Sequence, residues 1–510
     1  MWNWRYGLLL MISSLQLSNA YRLVYLDSMK CGYGERGSLT ATCTNVNTPS
    51  YFKSTSYRFD HLDETLQCLN CSLPSIDGNT FDISGNQIKH LILKNSNIEE
   101  LQRRAFVGLV FLEDMDLSNN KIMTIPPSTF AGVKKIVFVN LENNSLTLLS
   151  NDGFSELINL ETLILNKNKI SIINTNAFNG LKNLRILNLN SNNINNITAI
   201  FNNLTSLQYL DLSENAITDL KGHDFANLTS LLELKMNKNK IKKLPSLEFS
   251  CMKNLEVLRL SNNFIDQIDI NAFEGLQELE TLDLGNNLIS NIPEKTFQNL
   301  HGVIDMNLTG NLLEVFQISR FAGLPRLRTL NLSHNHIEEI ETSGIFPLHD
   351  LHSLDLSYNN LTYLNYVVLL HRMPKISYVS LQNNNWPCDL EDEMTKFFNE
   401  ENFKFILFEN KNGSIECNDN VVSKRKNIQT ETLKQVDERA ATVPETMGTS
   451  AEITLFLLVI ILCFAVILLS FTQYRISREI RFNPLLLRRR TTSEVKLFHS
   501  SLQEDSDQMR

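Results

Sequence analysis

Few side chains in this sequence could do chemistry, and sulfur leads them. Cys31, Cys43, Cys68 and Cys71 crowd the N-terminal part, Cys388 and Cys417 stand 29 residues apart further on, and Cys251 is left odd between the two groups. Cys68-x-x-Cys71 has the spacing of half a zinc site. In an oxidising compartment the same cysteines would instead form disulfides, and four of them allow three pairings. Five of the ten histidines, His334, His336, His349, His352 and His371, fall within one stretch, a density that invites metal or pH-sensing chemistry. No GxSxG, HExxH, Gly-rich phosphate loop or DxDxDG run occurs, and 19 glycines in 510 residues is low for such loops. The expectation is therefore a chain that is not an enzyme and holds no cofactor or metal.

The elements that must position these residues come from a repeat. The stretch LETLDLGNNLI, Leu279 to Ile289, returns as LEVLRLSNNFI at Leu255 and LRTLNLSHNHI at Leu327. Thirteen units begin at Ile88, Leu112, Ile136, Leu160, Leu184, Leu207, Leu231, Leu255, Leu279, Val303, Leu327, Leu351 and Ile376, spaced by 24 residues except for one of 23 and one of 25. Positions 1, 4, 6 and 11 are aliphatic almost throughout, with Met115, Met236, Met306 and Trp386 among the exceptions. Position 9 is Asn in twelve units and Ser96 in the first. So short a segment cannot bury its own apolar face, but stacked copies share one core. Positions 4 and 6 flank a single outward residue, the period of a short strand. The turn that follows leaves backbone groups needing partners. An Asn amide offers two donors and an acceptor, and is expected to bond its own turn and the next. A Phe recurs near position 19 in ten successive units, from Phe106 to Phe321, and predicts a stacked aromatic spine on the convex side. It lapses at Ile345 and Leu369, so the last two units should have a less regular back.

This motif, LxxLxLxxNxL followed by xxFxxL over residues 88–386, resembles that of the extracellular leucine-rich repeat family. The resemblance implies an α/β-type solenoid, a horseshoe with a parallel sheet on its concave side and Cys-rich caps at both ends. NNWPCDL is similar to the opening of the family's C-terminal cap, but Leu390 stands where a second Cys is expected, which implies one bridge, Cys388–Cys417. Cys251, in SCMKNL on the back of a unit, is expected to be buried and inert.

Both ends of the chain speak of a membrane. Residues 1–20 carry a single Arg5, an apolar run and Ser18-Asn19-Ala20, the pattern of a cleaved signal peptide. Residues 453–472 are uncharged and long enough to span a bilayer. Arg475, Arg478, Arg481 and Arg488 to Arg490 follow, so the C-terminus should be cytoplasmic. The expected order is signal peptide 1–20, N-terminal Cys-rich cap 21–87, repeats 88–386, C-terminal cap 387–417, stalk 418–452, transmembrane helix 453–472 and tail 473–510. The tail is too short for a kinase or for the signalling domain that Toll-like receptors carry. Its arginines can lie on anionic lipid, and phosphorylation of Thr491, Thr492 or Ser493 would weaken that contact.

Nine N-x-S/T sequons lie outside the membrane run, at Asn70, Asn143, Asn196, Asn203, Asn227, Asn307, Asn331, Asn360 and Asn412. Asn307 and Asn331 occupy position 5, so glycans there would cover the concave face around units ten and eleven. A net charge of −9 spread along the chain argues against general nucleic-acid binding. Recognition of a protein is the expected function, through the concave face of units three to eight. Phe138, Tyr209, Lys235 and Arg259 are its candidate contacts. Glu113, Asp114 and Asp116 form an acidic patch in unit two, and Lys235, Lys238 and Arg259 a basic one in units seven and eight. The expected protein is a single-pass plasma-membrane glycoprotein for cell adhesion or recognition, its partner a cell-surface protein or a second copy of itself. The alternative is an innate-immune receptor or co-receptor for a soluble ligand.

Overall fold

Seventeen strands form one sheet whose order follows the chain. The computed structural model describes residues 30–32, 38–53, 63–83, 85–221, 223–341, 348–401 and 404–407. The signal peptide, stalk, residues 453–472, tail, Asn412, Cys417, Thr491, Thr492 and Ser493 lie outside the described residues. Among the described residues, no helix is long and apolar enough to cross a membrane.

Each unit contributes three strand residues at positions 3 to 5, with position 4 inward. Thr281–Asp283 pairs in parallel with Val257–Arg259 on one side and Asp305–Asn307 on the other, residue for residue. Leu279, Leu282, Leu284 and Ile289, from positions 1, 4, 6 and 11, have no exposed surface. The spine forms as well: Phe106, Phe130, Phe154 and Phe178 stack with ring centroids 5.7 to 6.4 Å apart. Burying each ring is worth about 2–3 kcal/mol.

The asparagine ladder runs opposite to the expected direction. Asn263 accepts from Ile241 N–H (3.1 Å) and donates to Met236 O (3.0 Å), both in the preceding unit, and to its own Leu260 O (2.9 Å). Asn120 through Asn384 repeat this pattern. The amide reaches back because position 9 follows the turn, and the turn tips it toward the unit already laid down. Position 8 is left-handed in all thirteen units, with φ between 53° and 64°, including at Lys167, Glu214, Lys238, His334 and Tyr358. Asn and Gly tolerate that conformation best, which accounts for the recurring Asn-Asn pairs.

The solenoid extends past the first unit seen in the sequence. Thr65–Leu69 pairs in parallel with His90–Ile92, and Thr40–Thr44 pairs in parallel with Thr65–Leu69. Phe81 and Phe52 continue the spine. An additional unit therefore begins at Asp63, with Leu66 at position 4, Cys68 at position 6 and Cys71 at position 9. The strand Lys30–Gly32 closes the edge, antiparallel to Thr40–Thr44. The cysteines pair as Cys31–Cys43 and Cys68–Cys71, and the second bridge ties positions 6 and 9 of one turn, where the Asn amide acts elsewhere. This removes the zinc reading of Cys68 and Cys71, since neither keeps a thiolate.

The other end is closed by aromatic packing. Tyr366–Arg372 is a helix on the back of unit twelve, in place of the usual turns, and Leu369 takes the spine position there. Ile345 lies outside the described residues. Helix Cys388–Glu400 buries Met394 and Phe398, with Tyr366, Phe397 and Phe405 around them. Trp386 Nε1 donates to Leu381 O at 3.0 Å, the bond that a following unit's Asn would have made. Cys388 is disulfide-bonded. Cys251 is free but only half-buried, contrary to expectation. It sits at position 21 of unit seven, which Gly108, Gly132, Gly180 and Gly275 hold in other units.

Candidate protein-binding face

Two rows of side chains project from the outward face of the 17-stranded sheet. In-register pairing lines up position 3 as Asp114, Phe138, Thr162, Ile186, Tyr209, Glu233 and Val257. Position 5 lines up as Asp116, Asn140, Ile164, Asn188, Asp211, Lys235 and Arg259.

Three of the four candidate contacts meet. Lys235 Nζ donates to Tyr209 Oη at 3.0 Å and lies 4.8 Å from the centroid of that ring. Tyr209 Oη donates to Asp211 Oδ2 at 3.2 Å. Glu233 approaches Lys235 at 3.2 Å and Arg259 at 3.9 Å. Burial pushes the Tyr209 phenol up and keeps it neutral, against the hydrogen bond from Lys235. Burial would lower the Lys235 pKa, but its bond to Tyr209 and the nearby Glu233 outweigh that and raise it, so the ammonium stays charged.

Phe138 stands apart, three strands from Tyr209, about 14 Å at the usual strand spacing. The gap is bridged by two aliphatic residues on the intervening strands. Ile164 and Ile186 are half-buried on the same face, so Phe138, Ile164, Ile186 and Tyr209 make an apolar track across four units. Their signal was available: aliphatic residues at outward positions 5 and 3. A groove of about 790 Å³ runs beside the track along the strand entrances, lined by Glu113, Lys135, Val137, Glu161, Arg185 and Gln208 among others.

The charge patches are less free than their sequence suggests. Lys235 and Arg259 both face Glu233, and Lys238 pairs with Glu214 at 2.7 Å, which holds the Glu214 carboxyl below its ordinary value. The basic patch is thus internally neutralised, because acidic residues occupy the adjacent positions of the same and preceding strands. In unit two, Asp114 lies 2.7 Å from His90, and Asp116 accepts from Ser118 N–H.

Of the sequon asparagines, Asn70, Asn143, Asn196, Asn203 and Asn227 are exposed, and Asn307, Asn331 and Asn360 half-buried. Asn307 donates its amide to Asp283 Oδ1 at 2.8 Å. Asn307 and Asn331 line a polar hollow of about 350 Å³ with Arg259, Asp283, Asp305 and Asp355. The histidines do not gather: His334 stacks on Tyr358 at 4.1 Å, while His336, His349 and His352 are exposed at other positions. The His371 side chain lies outside the described ones. Among the described residues, no group of three or more potential ligands could hold a metal.

The leucine-rich repeat family model matches residues 86–146, 138–194, 198–241, 233–289, 253–313, 277–337 and 325–385. The chain belongs to the leucine-rich repeat family. Its fold is shared with solved leucine-rich repeat structures at low identity. The LRIM1/APL1C complex matches with a TM-score of 0.53 and 18% identity, over 91% of this chain and 92% of that one. The APL1 leucine-rich repeat domain matches with a TM-score of 0.50 and 20% identity, over 70% and 90%. A leucine-rich repeat protein of Leptospira interrogans gives 0.48 and 23%, over 68% and 95%. No curated protein matches by sequence. Leucine-rich repeat domains are protein-interaction scaffolds, and the face described here has the form that role requires.

Proposed function

We infer that this leucine-rich repeat protein is a single-pass plasma-membrane glycoprotein that recognises a protein on another cell. The observation that carries the reading is the apolar track from Phe138 to Tyr209, half-buried and ending in the Tyr209–Lys235–Glu233–Arg259 network. A track of aromatic and aliphatic groups with a polar margin is the arrangement of an interface core and rim. The signal sequence, residues 453–472 and the arginines after them support a membrane anchor. Glycans on Asn307 and Asn331 would occupy the hollow beyond Arg259 and leave the track open; glycopeptide mass spectrometry reading both sites bare would remove that element.

The test is cell aggregation. Non-adherent cells expressing the full chain are mixed with labelled cells, with and without it. Clumping is expected, and Ile186→Asp should abolish it at unchanged surface level, because a buried carboxylate in the interface costs several kcal/mol. Surface expression without clumping would reject the reading and favour a receptor or co-receptor for a soluble ligand.

A further inference from the structure

One flank of the solenoid carries an apolar stripe that the concave site does not use. Position 10 follows each ladder Asn and points sideways. In units eight, nine and ten it is Phe264, Leu288 and Leu312, which are 49%, 42% and 38% exposed. Val315, at position 13 of unit ten, adds a further apolar side chain at 40%. Large apolar groups clustered in consecutive units are not the scattered exposure of an ordinary surface. No N-x-S/T sequon falls at positions 10 to 13 of units seven to eleven.

The two ends of the stripe are opposite in charge and equal in spacing. Unit seven places Lys240, Lys242 and Lys243 at positions 10, 12 and 13. Unit eleven places His336, Glu338 and Glu339 at the same three positions. All six are exposed, and among the described residues neither these lysines nor these glutamates form an intramolecular ion pair. Unit nine lies midway between them. A two-fold axis through Leu288 would therefore superimpose unit seven of one copy on unit eleven of another. Lys242 then meets Glu338 and Lys243 meets Glu339, twice over, while Phe264 meets Leu312 and Leu288 meets itself. Such self-complementarity is the signature of an isologous contact.

We propose that this flank is a self-association surface on which a second copy of the chain docks antiparallel, about an axis at Leu288. Asp266 meets Glu314 on either side of the axis, the one like-charge contact, and it weakens the association. Five units at about 4.8 Å spacing give a strip roughly 20 Å long. Four extended residues make it roughly 13 Å wide. The contact is well below the ~1,200 Å² of stable complexes, so the pair forms where the chain is concentrated, as on a membrane. The concave face stays open in this arrangement, so the proposal stands or falls separately from the cell-recognition reading.

The test uses the full chain on dispersed cells, in a Cys251→Ser background, with a short membrane-impermeant bis-maleimide. Leu288→Cys is expected to give a homodimer band. Lys169→Cys, at the same position of unit four, lies far from the axis and should give none. Lys242→Glu with Lys243→Glu, or Glu338→Lys with Glu339→Lys, should each reduce the Leu288→Cys band at least tenfold. Co-expressing the two reversed chains should restore it, which a folding defect would not allow. Equal bands from Leu288→Cys and Lys169→Cys at matched surface level would overturn the proposal. So would a band indifferent to charge reversal, or one joining Leu288→Cys to a different protein.

Discussion

The interior of the solenoid and its two ends meet the same demand by different means. In the interior the turns are held by the next unit's asparagine, and the backs from Phe106 to Phe321 by phenylalanine rings. At the N-terminal end Cys68–Cys71 replaces the side-chain bond across the turn, and Leu73 N–H donates to the backbone carbonyl of Ser96 at 2.7 Å instead of to an amide. At the C-terminal end the indole of Trp386 substitutes for the missing asparagine, and a cluster of Tyr366, Phe397, Phe398 and Phe405 around helix Cys388–Glu400 substitutes for the spine. A repeat protein thus relies on a neighbour for each unit, and where the neighbour is missing the chain supplies a bond of another kind.

The sharpest way to break this contrast is in the interior. Phe154→Ala should cost about 4 kcal/mol, since the ring is buried between Phe130 and Phe178 and leaves a cavity that neither can fill. Thermal unfolding followed by circular dichroism would read it; a loss under about 1 kcal/mol would mean that the spine is ornamental. Asn263→Ala should cost about 3 kcal/mol, because Ile241 N–H and the carbonyls of Met236, Leu260 and Ser261 lose their partner without access to water. The same change at Asn384, which is only half-buried, should cost less. Equal losses would erase the difference between interior and end.

At the ends the effects shrink. Cys31→Ser with Cys43→Ser opens a loop of twelve residues' separation and should cost about 2–3 kcal/mol. The loss should be confined to the strands before His90, and hydrogen exchange would localise it. Smallest is Glu391→Gln. Burial, and then the nearby Asp392, raise the pKa of the Glu391 carboxyl. Its folded-state pKa therefore lies above the unfolded value, so the folded form binds the proton more tightly. Stability is favoured below the unfolded pKa and declines as pH rises through the folded one. Glu391→Gln should raise the melting temperature at pH 7, and the gain should vanish by pH 4; a gain independent of pH would point to packing instead.

Much of this was legible in the sequence, for a physical reason. Positions 1, 4, 6, 9 and 11 each meet the same environment thirteen times, so the residue types are fixed and the register with them. The unit at Asp63 is disguised in the sequence because Cys68 and Cys71 hold the positions normally given to an aliphatic and an Asn. The backward reach of the ladder depends on the left-handed turn at position 8, which no single residue type announces: Glu214 and Tyr358 adopt it as Asn286 does. Lys235 and Arg259 were readable as neighbours because they share position 5 in consecutive units. Glu233 belongs with them, because strand alternation puts it on the same face two residues before Lys235. Lys235 and Arg259 taken without it look like a basic patch, whereas all three form an internally paired network. Cysteine pairing and the half-burial of Cys251 depend on local turn geometry rather than on the period, and the period was all that the sequence offered.

The direction of the asparagine ladder has a consequence for how the chain is made. Because Asn120 serves Ile98, Asn144 serves Ile122 and so on, a unit has no partner for its own turn until about 24 more residues exist. A chain synthesised from its N-terminus would always carry one unfinished unit at its growing edge, and each new asparagine would seal the one before it. At the last unit Trp386 bonds Leu381 within its own turn, and the growing edge is then covered by helix Cys388–Glu400 and by strand Lys404–Ile406, which pairs with Tyr378–Ser380. Synthesis stopped at any earlier asparagine would leave a sticky solenoid; synthesis carried through Leu407 leaves a covered edge.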